Sequence, residues 1–186
     1  MQSNQSAALI RPATLAEVPA LNTLIQSSAR GLSTQDYSPE AIEGLIQHVF
    51  GVDTELITDG SYYVIEQTDV TAPIIACGGW SRRRTLFGGD NFQQREGGYL
   101  DPAKDSAKIR AFFVHPSYAR QGLARRLLEY CEQQAKAFGF KKMELMSTLP
   151  GIKFYGSNGY NLGELVDHTL ASGLVVQIRP VFKELG

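Results

Sequence analysis

The sequence is short of cysteine and histidine, nearly free of net charge and without a long apolar run, and each shortage removes a class of function. Its two cysteines, Cys77 and Cys131, are too few and too isolated for a disulfide framework or a zinc site. The three histidines, at 48, 115 and 168, show no metal-ligand spacing, so no metal is expected. Lys and Arg number 18 against 19 Asp and Glu, a formal net charge of -1. The whole-protein basic field that drives non-specific nucleic-acid binding is therefore missing, and no nucleic-acid partner is expected. No apolar run is long enough to span a bilayer, and the polar stretch Met1 to Ala8 lacks the apolar core of a secretory signal. The expectation is a cytoplasmic chain with no membrane partner. Repeats and low-complexity tracts are absent as well.

What is present is ordinary globular material. With 43% hydrophobic and 20% charged residues, 186 residues are most simply one domain spanning 1–186, with a disordered tail at 1–7. Ala8 to Arg11 reads as a first strand, ended by Pro12. Thr14-Leu15-Ala16-Glu17 has the form of a capping box, and Val18, Leu21, Leu24 and Ile25 follow on one helical face. Pro19, one turn in, predicts a kink or a later start. Ser38 as N-cap and Pro39 as first residue open a second helix, which Gly51 stops.

Tyr62 to Glu66 and Ile74 to Trp80 read as strands joined by a turn around Asp69 to Pro73. Gly78 and Gly79 interrupt the second of them, which predicts a bulge or the close approach of another backbone. The segment from Ser81 to Ala107, with Arg82-Arg83-Arg84, Gly88-Gly89 and Gly97-Gly98, is far longer than a hairpin needs. Loops of that length are functional or disordered.

Ile109 to Val114 reads as a strand that breaks at Pro116, crosses a polar loop and enters a helix at Gly122. A strand feeding a glycine-marked helix start aims several backbone NH groups at one spot, and the helix dipole makes that spot attractive to phosphate. The nucleotide pattern G-x-x-x-x-G-K-[ST] and the dinucleotide pattern G-x-G-x-x-G are both missing. The helix carries Leu123, Leu127, Leu128, Cys131, Ala135 and Phe138 inward, so Cys131 reads as a core thiol, and Gly139 closes it. Lys142 to Ser147 is the next strand, parallel to the Ile109 strand. A short helix from Pro150 to Ser157 and strands at Tyr160 to Asp167 and Leu174 to Phe182 complete a set of about seven strands.

Residues 119 to 124, with Gly122 and Ala124 in the two small positions, resemble motif A of the GNAT superfamily of acyl-CoA-dependent N-acyltransferases. That motif reads Q/R-x-x-G-x-G/A after a strand ending in a hydrophobic-Val-x-Pro pattern, and Ala119 stands at its first position. Phe154-Tyr155-Gly156-Ser157-Asn158-Gly159-Tyr160 is similar to the same superfamily's F-Y-x-x-x-G-F/Y signature, in order and correctly spaced. The element order also agrees over nearly the whole chain. The resemblance implies an α/β (α+β) fold, with a mixed, mostly antiparallel central sheet flanked by helices and a V-shaped splay between the fourth and fifth strands.

It also implies acetyl-CoA as co-substrate and an amine acceptor. The loop Arg120, Gln121, Gly122, Leu123, Ala124 and Arg125 would bind the pyrophosphate, and Phe112, Phe113 and Val114 would pair with the pantetheine arm. A backbone NH near Val114 would face the thioester oxygen. Thr148 stands where many relatives hold the pantetheine with asparagine. Tyr155 matches the tyrosine many GNAT enzymes use as general acid. For the base, Glu66, Glu144, His168 and a water chain remain open; His115 reads as a solvated or loop-bonded histidine. Trp80 with Arg82, Arg83 and Arg84 is the candidate acceptor site, the arginines binding a substrate carboxylate or phosphate.

The expected activity is N-acetylation of a primary amine, of a small molecule because the long 81–107 segment would crowd a peptide. The alternatives are a protein or peptide N-acetyltransferase and a non-catalytic acyl-CoA-binding or sensing domain. A homodimer is left open, since no interface is legible.

Overall fold

The capping box decides where the first helix begins. In the computed structural model, which describes residues 8–68 and 73–186, the Glu17 carboxylate accepts from the Thr14 NH at 2.8 Å and from its hydroxyl at 3.0 Å. A short 3-10 turn at 15–17 then leads into helix α1, Val18–Leu32. Pro19 sits in its first turn, where a missing NH costs no intrahelical bond. Strand β1, Ala8–Pro12, precedes it. Helix α2, Pro39–His48, opens as expected, with Ser38 Oγ accepting from the Ala41 NH at 3.1 Å. A further short helix, α3, Thr54–Thr58, carries no apolar periodicity long enough to read from sequence. Asp53 caps it, accepting from the Glu55 NH at 3.1 Å.

Strands β2, Tyr62–Gln67, β3, Ile74–Ser81, and β4, Ala107–Val114, follow. Helix α4, Leu123–Phe138, packs over the sheet on Leu127, Leu128, Cys131 and Ala135. Then come β5, Lys142–Thr148, helix α5, Leu149–Ser157, and strands β6, Asn161–Leu162, β7, Val166–Thr169, and β8, Val175–Glu184. The predicted tail at 1–7, and most of the predicted turn around Asp69 to Pro73, lie outside the described residues. No helix among those residues is long and apolar enough to cross a membrane.

Among the described residues, eight strands form one sheet in the order β1-β2-β3-β4-β5-β8-β6, with β7 also paired to β8. All neighbours are antiparallel except β4 and β5. This is the mixed, mostly antiparallel architecture the resemblance implies, with one strand more than expected. The region read as a single strand at 160–167 is split by Pro180 of β8, which has no NH to donate to the ladder. Gly163 donates its NH to the Pro180 carbonyl at 2.9 Å, and in place of the missing return bond the Arg179 Nε donates to the Gly163 carbonyl at 2.6 Å.

The feature that positions the site is the pairing of β4. It pairs with β5 only at Ala107–Met143 and Lys108–Glu144, after which the two strands part, β4 staying on β3 and β5 on β8. On the β3 side, Cys77 faces Phe113 and Gly79 faces Arg110, so Ala111 and Phe112 together oppose Gly78. That is a β-bulge, and Ala111 takes φ +52 to make it. A Cβ on Gly78 would stand 2.6 Å from the Phe112 ring, and one on Gly79 would stand 2.3 Å from the Ser61 carbonyl oxygen. Both readings of this glycine pair, a bulge and a close approach, are met.

One side chain departs from expectation. Phe138, in the last turn of α4, is 49% exposed; its ring stacks on Phe140 and carries the Arg82 guanidinium. The segment 81–107 is tied down by charge. Arg110 on β4 is 2% exposed and donates to Asp53 Oδ2 at 2.7 Å, to the Thr85 carbonyl at 2.9 Å and to the Gly88 carbonyl. Arg95 reaches the other Asp53 oxygen at 2.9 Å, and Arg83 grips Asp59 at 2.7 Å.

Candidate active site

Where β4 and β5 part, a cleft of about 980 Å³ opens between them. Its floor is residues 109–114 of β4 and 145–148 of β5; the loop before α4 and the first residues of α5 close one side, and α1, Phe50 and Phe87 the other. Diverged strands present unpaired backbone groups, which want partners of their own.

The alternation of the β3–β4 ladder shows which groups are free. The His115 NH donates to the Ile75 carbonyl at 2.8 Å, and Val114 is the next residue along β4, facing Ala76. Alternate residues of an antiparallel ladder turn their NH groups to opposite sides. The Val114 NH therefore points away from β3, to the side from which β5 has withdrawn. It is a donor aimed into the cleft.

At the end of β4 the chain makes a short 3-10 turn at 116–118, where His115 Nδ1 accepts from the Ser117 NH at 3.2 Å. This histidine is loop-bonded. Arg120 then takes φ +66 and Gly122 φ +78, curling the loop so that α4 starts at Leu123. The NH groups of 120–122 make no bond to backbone among the described residues, and the first intrahelical bond is Arg126 NH to the Gly122 carbonyl, 3.1 Å. Those of 123–125 have no partner within the helix either. Leu123 is buried and anchors the loop, while Arg120, Gln121 and Gly122 are exposed. Nothing lies within 4 Å of where a Gly122 Cβ would stand. A set of convergent, unbonded NH groups at a helix N-terminus, flanked by Arg120 and Arg125, suits a pyrophosphate.

Of the ten positions expected to hold the co-substrate, all but Gln121 line this cleft: Phe112, Phe113, Val114, Arg120, Gly122, Leu123, Ala124, Arg125 and Thr148. The Thr148 side chain makes no capping bond to α5. Tyr155 lines the same cleft at 6% exposure, edge-on to Phe154 and Tyr160. Its hydroxyl makes no hydrogen bond among the described residues, where Trp80 Nε1 is the one buried side-chain polar atom without a partner. The Tyr155 oxygen therefore keeps its exposure to the cavity. Burial, and secondarily Cys131, push this phenol well above the ordinary tyrosine value of 10.0.

The three candidate bases separate cleanly. Glu66 is held by Arg11 at 2.7 Å and Glu144 by Lys108, and neither lines the cleft. His168 does, on β7, edge-on to Phe87 with ring centroids 5.2 Å apart. Burial lowers its pKa, so it is neutral and able to accept a proton at neutral pH.

The candidate acceptor residues lie elsewhere. Trp80 faces α4, packing on Phe138 and Phe140 with centroids 5.6 and 6.0 Å away. With Arg82 it lines a separate hollow of about 330 Å³. Arg83 is engaged with Asp59 and Glu55, and Arg84 is exposed. None of the four lines the cleft. Trp80 pairs with Ile109 and packs in the cluster under α4, while Arg82, Arg83 and Arg84 lie beyond the end of β3.

Sequence reasoning missed Arg110, Asp53 and Tyr37. Arg110 carried a signal, a charged residue inside an apolar strand. Tyr37 carried none; its hydroxyl donates to the Gln177 carbonyl at 2.6 Å and accepts from the Leu149 NH at 3.0 Å, fixing the start of α5.

The acetyltransferase (GNAT) family model matches residues 27–160. Among solved structures, a GCN5-related N-acetyltransferase of Rhodopseudomonas palustris is 15% identical, with 96% of each chain covered and a TM-score of 0.69. PaiA N-acetyltransferase of Thermoplasma acidophilum, solved with coenzyme A, is 14% identical, with 96% of this chain and 99% of that one covered and a TM-score of 0.62. YncA of Salmonella typhimurium, solved with acetyl-CoA, is 15% identical, with 97% and 95% covered and a TM-score of 0.62. At these identities the likeness is one of fold. No curated protein sequence matches the chain.

Proposed function

The chain belongs to the GNAT acetyltransferase family, and from that membership we propose that it moves an acetyl group from acetyl-CoA to a primary amine of a small molecule, by direct attack. The observation that carries this reading is the early parting of β4 and β5. It leaves the Val114 NH and the NH groups of 120–125 on one cleft, together with Tyr155. The small-molecule preference is supported by Phe87, Gly88 and Gly89, which bring the 81–107 segment to the cleft where an extended peptide would otherwise lie.

Acetyl-CoA supplies the activated acyl group. The loop and the start of α4, with Arg120 and Arg125, hold its phosphates. The free edges of β4 and β5 take the pantetheine as an added strand, with Thr148 at the far end. The Val114 NH meets the carbonyl oxygen as negative charge builds on it; donors of this kind are worth about 100-fold or more in rate. His168, neutral and on the acceptor side, takes a proton from the amine directly or through water.

Tyr155 gives its proton to the departing sulfur. A phenol raised by burial is a weak acid, but the same surroundings disfavour a thiolate: burial pushes the Cys131 thiol, in the same core cluster as Tyr155, well above its ordinary value. The two partners rise together, and the transfer stays near balance.

The test is CoA release from acetyl-CoA, read with a thiol reagent across a panel of amines, with Tyr155→Phe alongside. Acceptor-dependent release is expected, falling roughly 100-fold in the variant while CoA affinity is kept. Saturable CoA binding with no release from any amine would instead indicate an acyl-CoA-binding domain.

A further inference from the structure

The half of the cleft away from the phosphate loop is built from rings. Phe50 meets Phe113 edge-on at 5.2 Å, and Phe113 is the neighbour of Val114 on β4. Opposite, Phe87 packs against Phe92 at 4.8 Å and His168 at 5.2 Å. Leu32 and Val49 also line the cleft.

The charges on this half are equally telling. One carboxylate lines the cleft among the described residues, Asp36, exposed just after α1. The basic side chain on the same side is Arg110, and its charge is already met: Asp53 pairs with it, and the Thr85 and Gly88 carbonyls take further donors. The remaining cations lining the cleft, Arg120, Arg125 and Lys153, stand on the phosphate loop and on α5. Arg82, Arg83 and Arg84 do not reach it.

Resting on the acetyltransferase reading, we propose that the acceptor is a primary amine carried on an apolar, ring-bearing body without an acidic group. Such a body fills the space between Phe50, Phe87 and His168. Its ammonium is drawn by Asp36 and gives up its proton before attack. A carboxylate or phosphate beside the amine would meet aromatic faces and Asp36 with no free cation, a desolvation that nothing on this half offsets. Arg110 is the positioning residue of the wall, since its bond to the Gly88 carbonyl holds the residue next to Phe87.

The experiment compares amines with matched bodies. 2-Phenylethylamine and phenylalanine differ by one carboxylate, and spermidine supplies charge without a ring. Each is titrated by calorimetry into protein saturated with CoA, and each is assayed as acceptor with acetyl-CoA. Phenylethylamine should bind at least about tenfold more tightly than phenylalanine. Phe87→Ala should weaken it by about tenfold and leave CoA affinity unchanged. Phenylalanine or spermidine binding as tightly as phenylethylamine, or no binding of phenylethylamine to the CoA-loaded protein, would overturn the proposal. Turnover of acidic amines would do so while leaving the acetyltransferase reading intact. Failure of CoA itself to bind would remove both.

Discussion

Tyr155 and His168 are read through their surroundings. Burial raises the phenol and lowers the imidazole, so at neutral pH both are uncharged, one with a proton to give and the other able to take one. The pH dependence of kcat/KM follows from the signs. A lowered imidazole keeps its neutral, active form as pH falls, so the acid limb should lie below 6.5; a raised phenol should leave the alkaline side flat up to 10.0. His168→Gln should cost roughly 100-fold in kcat/KM near pH 7 and abolish the acid limb. An acid limb retained in that variant would point to water or another group as base. The same shift acts on stability. Because the folded chain binds the His168 proton less readily than the unfolded chain, stability falls as pH drops below 6.5.

Among the elements, the segment between β3 and β4 shows how an irregular stretch becomes a wall. It contains no helix, yet Arg83, Arg95 and Arg110 each meet a carboxylate on Asp53, Glu55 or Asp59. Of these contacts, Arg110 with Asp53 matters most, since both side chains are 1% exposed. Removing one partner of such a pair strands the other, at a cost of about 3–5 kcal/mol. Asp53→Asn should therefore lower the unfolding free energy, measured by denaturant titration, by that amount. Arg110→Met should fall at the lower end, because Arg95 still pairs with Asp53. A change below ~1 kcal/mol in both variants would mean the network does not hold the segment. Both should also weaken an apolar amine more than CoA, as measured by calorimetry.

The elements differ in how far the sequence revealed them. The start of α2 and both ends of α4 were legible because Ser38, Pro39, Gly122 and Gly139 act on their own backbone, whereas α2 stops at His48, short of Gly51. The glycine pair at 78 and 79 was legible for the same reason. Side-chain destinations that depend on distant pairing were not. Trp80 and the three arginines were read toward the acceptor because they sit beside a long loop, whereas strand register sends Trp80 under α4. Pro180 was visible, but its power to split a strand depended on Gly163 lying beside it.

At the scale of the whole molecule, the sheet is two antiparallel halves hinged on two residue pairs of β4 and β5. The loop at 120–125, the Val114 NH and Tyr155 come from separate stretches, and the splay brings them to one cleft. The motifs marked the local pieces of this arrangement, and the family resemblance supplied the splay itself; the residues alone gave no measure of where β5 leaves β4. The account turns on the donor that this parting frees. Val114→Pro deletes that NH without removing a bond of the β3 ladder, so CoA affinity should stay within a few-fold of wild type. The decisive measurement is amine-dependent CoA release by this variant under single-turnover conditions. The account predicts a rate lower by about 100-fold or more; a wild-type rate from a folded, CoA-binding Val114→Pro would contradict it.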